Sequence, residues 1–396
     1  MCIRDRSIIE NNELIDNPDY PLKRKLNDST ISKNFNKPNI IIFLLESWTP
    51  KYIGAYNSIM NYTPVFDSLA KKGYLFKKAY ANGDRSIYGI TATLLGIPQP
   101  IGLPYLGTGL EISNIPRIGT MLNNLGYRTL FLQTSLKSSY RMDAIAEALN
   151  FKEYYSMSDF PKIFNYETNE IPSFGWDYEA LMFLEKIITN QNKPFFAYLF
   201  TGTTHESYIL PAKQFEKAKP HQRNRLNGYL NTLYYSDWSI GKFLEKASKK
   251  NWFNNTIFIF IADHVCKFVE NTIDDRFHIP LLIYSPLFQT PKQFDFICSQ
   301  SDIPETIVDI IGIKEPYSGI GKSLLRNYKD RFVIARTGKE MVYIDSAVQF
   351  KHNLYETTYI NPHISENSKK TLQNKIKKFL AIDQTLYFIL KNNKFY

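Results

Sequence analysis

No apolar run in this chain approaches the ~20 residues that a membrane-spanning helix needs. Residues 1–12 also lack the apolar core of a secretory signal peptide. Cysteine is equally sparse. Cys2, Cys266 and Cys298 cannot build a disulfide framework, and none sits in a Cys-x-x-Cys pair of the zinc-binding kind. No internal repeat is visible. The net charge is +10, yet the Lys and Arg residues are scattered and no basic run is interleaved with aromatics. That pattern argues against nucleic acid and suits a phosphate-bearing substrate or an anionic membrane surface.

What is present is a chain of 396 residues, 44% hydrophobic, long enough to bury a sizeable core. Its organising stretch runs from Asn39 to Trp48. The apolar run Ile40–Leu45 follows Pro38 and ends in a single carboxylate, Glu46, which reads as a strand buried on both faces with a functional residue at its exit. Residues 1–37 are polar and read as a linker or arm, although Met-Cys-Ile-Arg-Asp-Arg at the start has the look of read-through, which leads us to expect a missing upstream part. Further strands are expected at Tyr74–Tyr80, Tyr127–Gln133, Phe195–Thr201, Thr256–Ala262 and Ile279–Tyr284, alternating with helices over Thr63–Ala70, Ser86–Leu95, Ile118–Asn124, Met142–Leu149, Tyr178–Thr189, Leu226–Lys249 and Ile303–Ile311. Phe332–Ala335 and Met341–Phe350 read as a small antiparallel meander with Gly338 in its turn. The expectation is an α/β fold. A mostly parallel central sheet has helices on both faces over 38–325, and a C-terminal antiparallel subdomain over 326–396 packs on one end.

Open parallel sheets bind ligands at the carboxyl ends of their strands. Two buried-type strands end there in polar groups, one in Glu46 and the other in Asp263-His264. Two carboxylates and an imidazole form a ligand set suited to zinc or manganese. The alternative is that Asp263 caps a turn and His264 is a loop histidine. Ser86 stands at a helix start after Gly83-Asp84-Arg85, where free N–H groups and the helix dipole favour an anion. A hydroxyl there is a candidate nucleophile for phosphorus, and equally an ordinary N-cap.

The segments Pro38–Ser47, Thr63–Ala70, Gly83-Asp-Arg-Ser-Ile-Tyr-Gly-Ile90, Phe260-Ile-Ala-Asp-His264, His278–Pro286 and Gly321-Lys-Ser-Leu324 follow one another in a known order. In that order the chain resembles the sulfatase-like branch of the alkaline phosphatase superfamily. Within it the likeness is to lipoteichoic acid synthase and related phosphoglycerol transferases. The resemblance implies that Glu46, Ser86, Asp263 and His264 bind one divalent metal, Mn2+ or Zn2+, with Ser86 as nucleophile. Val265 stands where the family often has Gly. Ser86-Ile-Tyr-Gly-Ile90 lacks the Pro and Arg of the sulfatase Cys/Ser-x-Pro-x-Arg motif, which argues against sulfate-ester hydrolysis. Ser47 occupies the place of a second-metal ligand, which favours a single metal.

By the same resemblance His205, after the Phe195 strand, and His278, before Ile279-Pro280, match substrate-side histidines; loop histidines bonded to backbone are the alternative. Arg141 is either a phosphate clamp or a surface arginine, and Trp176 with Asp177 reads as structural. The implied function is a metal-dependent transferase that moves a phosphoglycerol-type group from a phospholipid head group to a glycan or lipid acceptor hydroxyl through a phospho-serine intermediate. A phosphodiesterase-type or sulfatase-like hydrolase, a phosphoethanolamine transferase, and a non-catalytic binding protein of the same fold are the alternatives. The resemblance also implies the extracytoplasmic face of a cell membrane, with N-terminal spans absent from this chain.

Overall fold

The computed structural model describes residues 13, 17, 19–26, 36–115, 117–189, 192–361 and 369–395. Most of the polar arm, Cys2 among it, lies outside the described residues. Among them, β1 (Lys23–Arg24) precedes β2 (Asn39–Leu45), α1 (Pro64–Ala70), β3 (Tyr74–Tyr80), α2 (Ser86–Leu95), α3 (Ile118–Asn124) and β4 (Arg128–Gln133). Then come α4 (Met142–Ala148), β5 (Glu153–Tyr155), α5 (Asp177–Ile188), β6 (Phe195–Phe200), α6 (Leu226–Ala247), β7 (Thr256–Ala262), α7 (Ile273–Phe277) and β8 (His278–Tyr284). The chain continues through β9 (Lys292–Ser299), α8 (Ile303–Ile311), β10 (Tyr317–Ser318), β11 (Phe332–Thr337), β12 (Glu340–Asp345), β13 (Gln349–His352), β14 (Thr357–Ile360) and α9 (Lys369–Lys391).

The large sheet has the order β5-β4-β6-β2-β7-β8-β3-β9. Its pairings are parallel except that β8 runs antiparallel to both β7 and β3. The expected mostly parallel sheet is therefore present. β2 lies at its centre with every residue buried, because β-branched and large apolar side chains fill both faces. The two faces are covered by different helices. Phe43 meets Phe243 of α6 edge to face at 5.4 Å. Tyr198, which shares the opposite face with Ile42, shares a hydrogen bond between its hydroxyl and Thr93 of α2 at 2.9 Å.

Helix ends follow their punctuation. Gly96 and Gly312 close α2 and α8 in the left-handed conformation, at φ 69° and 73°, where a side chain would be strained.

The separate four-stranded sheet, β11-β12-β13-β14, is antiparallel and sits at the C-terminal end as expected. Met341–Phe350 divides into β12 and the start of β13, joined by a turn in which Asp345 accepts from the N–H of Ala347 and Val348. Helix α9 covers this sheet with Phe379, whose ring meets Phe350 at 5.8 Å. Part of the polar arm is built into the fold: β1 pairs with β10, and Arg24 is buried in an ion pair with Glu305 of α8. No described helix is long and apolar enough to cross a membrane.

Candidate active site

Strand register assembles the site. Leu45 pairs with Ala262, and Leu44 with Phe200, so the next residues, Glu46, Asp263 and Thr201, leave the sheet side by side. Glu46 donates its N–H to Thr201 Oγ1 at 3.0 Å, and Thr204 Oγ1 donates to the Glu46 carbonyl. Ser47 turns back at φ 57°. In that conformation its N–H donates to Asp263 Oδ1 at 2.8 Å and its hydroxyl to Glu46 Oε1 at 2.7 Å. Ser47 therefore braces both carboxylates, and Tyr229 Oη holds its carbonyl at 2.9 Å.

Ser86 is the first residue of α2, and the cap position before it is Arg85, which makes no side-chain capping bond. The Ser86 hydroxyl is thus not spent on capping. It lies 3.4 Å from Glu46 Oε2 and 3.2 Å from His264 Nε2. Two buried amides that sequence reasoning missed clasp the loops together. Gln300 Nε2 donates to the carbonyls of Ala262 and Asp263, each at 2.7 Å, while its Oε1 accepts the Asn82 N–H at 2.8 Å. Gln300 follows an edge strand and Asn82 precedes a turn, so neither position marks itself by pattern. Gly89 completes the approach: a Cβ there would stand 2.6 Å from the Asp263 carbonyl.

Electrostatics makes the cluster incomplete by itself. Glu46 is fully buried, and burial, reinforced by the charge of Asp263, pushes its pKa well above the ordinary carboxylate range. Among the described residues Asp263 Oδ2 is buried without a hydrogen-bond partner, 3.4 Å from His264 Nε2. The His264 Nδ1–H donates to the Val265 carbonyl at 2.9 Å, which leaves Nε2 with its lone pair facing the carboxylates. One donor atom from each of Glu46, Asp263 and His264 lies within 4.8 Å of the others. An orphaned carboxylate oxygen, a second buried carboxylate and a free imidazole nitrogen fit a divalent cation.

The cluster opens into a cleft of about 360 Å3 lined by Ser86, Arg85, Arg141, His205 and His264, with aromatic walls from Tyr105, Tyr140 and Phe174. His205 stacks on Phe174 at 4.1 Å and donates Nδ1–H to the Glu206 carbonyl at 2.7 Å. Arg141 sits at the rim and bonds the Gly107 carbonyl at 3.1 Å. His278 is placed elsewhere. It does not line the cleft; its Nε2 bonds the Lys77 carbonyl at 2.8 Å between the rings of Tyr56 and Tyr80, and burial lowers its pKa. Asp177 is buried and accepts the N–H groups of Gly202 and Thr203, which shapes the loop that carries His205.

The sulfatase family pattern matches residues 38–313. Lipoteichoic acid synthase from Staphylococcus saprophyticus is 21% identical over 58% of this chain and 36% of its own length. An ulvan-active sulfatase from Formosa agariphila is 23% identical over 75% of this chain and 59% of its own. The chain thus spans about a third of the length of the first of these relatives and less than two thirds of the second. In fold, an alkaline phosphatase superfamily protein from Vibrio parahaemolyticus matches with a TM-score of 0.79 at 22% identity, over 96% of this chain and 93% of that one. The lipoteichoic acid synthase LtaP from Listeria monocytogenes matches at 0.71 and 19% identity, over 91% and 95%. With that pattern covering most of the sheet and every member of the Glu46–Ser86–Asp263–His264 cluster, the chain belongs to the sulfatase family.

Proposed function

We propose that the protein is a phosphotransferase that moves a substituted phosphoryl group, of the phosphoglycerol type, from a lipid head group to an acceptor hydroxyl. The observation that carries this reading is the Ser86 hydroxyl, unspent on capping, at the head of α2 and within 3.4 Å of both Glu46 and His264. Glu46, Asp263 and His264 would hold one divalent cation, and with Ser86 they offer an oxygen-rich set that suits Mn2+ over Zn2+. When bound, that cation lowers the pKa of a neighbouring hydroxyl and neutralises phosphoryl charge.

The residues then divide the work. Ser86, its proton released to solvent, attacks phosphorus from the first turn of α2; an Oγ–P bond forms as the P–O bond to the lipid alcohol breaks. The departing oxygen takes a proton from His205 Nε2, the ring nitrogen not tied to the Glu206 carbonyl. The acceptor hydroxyl returns a proton to that nitrogen as its oxygen bonds to phosphorus and the Oγ–P bond breaks, and Ser86 Oγ takes back a proton from solvent. Arg141 and Arg85, on the cleft wall, bind phosphoryl oxygens by charge-assisted hydrogen bonds.

The absence of a Cys/Ser-x-Pro-x-Arg motif at Ser86 supports phosphoryl over sulfuryl chemistry. Work at an anionic membrane surface is part of the same reading, supported by the net charge of +10, and its extracytoplasmic side is proposed from the likeness to lipoteichoic acid synthase. Product analysis with a phosphatidylglycerol donor tests it: an acceptor alcohol should gain a phosphoglycerol group when present. Release of free glycerol phosphate at an unchanged rate, with no acceptor product, would make the protein a hydrolase.

A further inference from the structure

The cleft has a second lobe, about 230 Å3, that meets the first at Asp84, His205 and His264 and is also lined by Glu46, Lys267 and Arg276. Its two strong cations are not equivalent. Lys267 is neutralised by Glu206, with Nζ and Oε1 at 2.8 Å. The Arg276 side chain makes no hydrogen bond or ion pair among the described residues, although it is half-buried. On the helix of Arg276, Asp274 Oδ1 accepts from Tyr80 and Gln349 and Asp275 Oδ2 from Thr272. Asp84, which lines the same lobe, accepts at Oδ2 from Thr337 at 2.6 Å, and its Oδ1 is buried without a hydrogen-bond partner among the described residues, so the lobe holds one unpaired carboxylate oxygen beside the unpaired guanidinium. Helix α7 holds the arginine in place, because Ile273 and Phe277 on either side of it are buried. The guanidinium carries five donors in a planar fork, open to water on the lobe side, so a ligand that enters the lobe and displaces that water has to supply acceptors in its place. The fork matches the paired oxygens of a phosphate.

We infer that Arg276 is an anion-binding residue of this site, and that the small lobe is a phosphate subsite separate from the wall formed by Arg85 and Arg141. The inference rests on the phosphotransferase reading for its choice of phosphate over other anions. The phosphate is either that of the reacting group or one carried by the acceptor.

The test uses the full chain loaded with manganese. Inorganic phosphate binding is measured by calorimetry for wild type, Arg276→Gln, Arg276→Lys and the Arg276→Gln/Asp84→Asn pair. We expect Arg276→Gln to weaken phosphate about tenfold or more, the scale of a charge-assisted hydrogen bond. Lysine should restore only part, because it lacks the fork. Melting temperature should not move. Unchanged phosphate affinity in Arg276→Gln would overturn the inference. So would full restoration by Asp84→Asn, since Arg276 would then only balance that carboxylate. Kinetics separates the two sources. Slower turnover of bis(4-nitrophenyl) phosphate assigns Arg276 to the reacting group, whereas a raised KM for glycerol 1-phosphate as acceptor alone assigns it to the acceptor. If wild type turns over no diester, the phosphotransferase reading fails, while the phosphate titration still decides Arg276.

Discussion

At Glu46 burial and the neighbouring charge of Asp263 both disfavour the ionised carboxylate. In the metal-free chain the folded pKa is raised, so the native state holds its proton more tightly than the unfolded chain does. The resulting stability is fully present below the ordinary value of 4.5 and is lost as pH rises through the folded value. A bound cation reverses that preference, since it requires the deprotonated carboxylate. Metal-free protein should therefore lose melting temperature as pH is raised from about 4.5 towards neutrality, and added Mn2+ should restore more of it the higher the pH. Glu46→Gln should make the metal-free profile shallower, the remaining slope coming from other buried carboxylates such as Asp237 and Asp302, and should weaken the Mn2+ response. A pH-independent metal effect in wild type would contradict this electrostatic account.

At the scale of elements, the strand carrying Glu46 was legible because its apolar run is uninterrupted and ends in a lone carboxylate. Strands β5 and β9 were not, because they are edges: β9 is exposed or half-exposed over most of its length and shows no buried-strand pattern. Helix α9 was missed as well. Its buried Phe379, Ile382, Leu386 and Ile389 have helical spacing, but the lysines of its first half dilute the pattern. Of the site, the terminal residues of β2, α2 and β7 were legible because each ends or begins an element. His278 shares that signal, at the start of β8, yet the antiparallel pairing with β3 ties its ring to Lys77. The Asn82–Gln300 clasp joins α2 to the end of β7 through contacts with no local signature. Gln300→Ala would leave two buried carbonyls and a buried N–H without partners, at about 1–3 kcal/mol each. We expect a loss of about 3 kcal/mol in urea unfolding, with a larger fall in turnover than in metal binding as Ser86 drifts from Glu46.

Across the whole molecule, the C-terminal sheet is part of the active-site frame. The Arg336 N–H donates to the Asn82 carbonyl at 2.9 Å, the Asp84 N–H to the Arg336 carbonyl at 3.2 Å, and Thr337 Oγ1 to Asp84, all on the loop leading to Ser86. The arm is tied down at the other end. Arg24, which is fully buried, pairs with Glu305, lies beside Glu13 and stacks on Tyr317 at 4.9 Å. Removing one partner strands the others' charge, so Arg24→Met should cost about 3–5 kcal/mol of unfolding free energy. The active site lies apart from this cluster, so activity per folded molecule should hold.

The central claim is that Ser86 carries the group in transit. Intact-mass analysis after rapid mixing of manganese-loaded protein with a phosphoglycerol donor, without acceptor, measures it directly. The account predicts one added phosphoglyceryl group, mapped to Ser86 and absent from Ser86→Ala, that disappears when acceptor is supplied. An adduct that survives in Ser86→Ala, or turnover by Ser86→Ala at the wild-type rate, would contradict it.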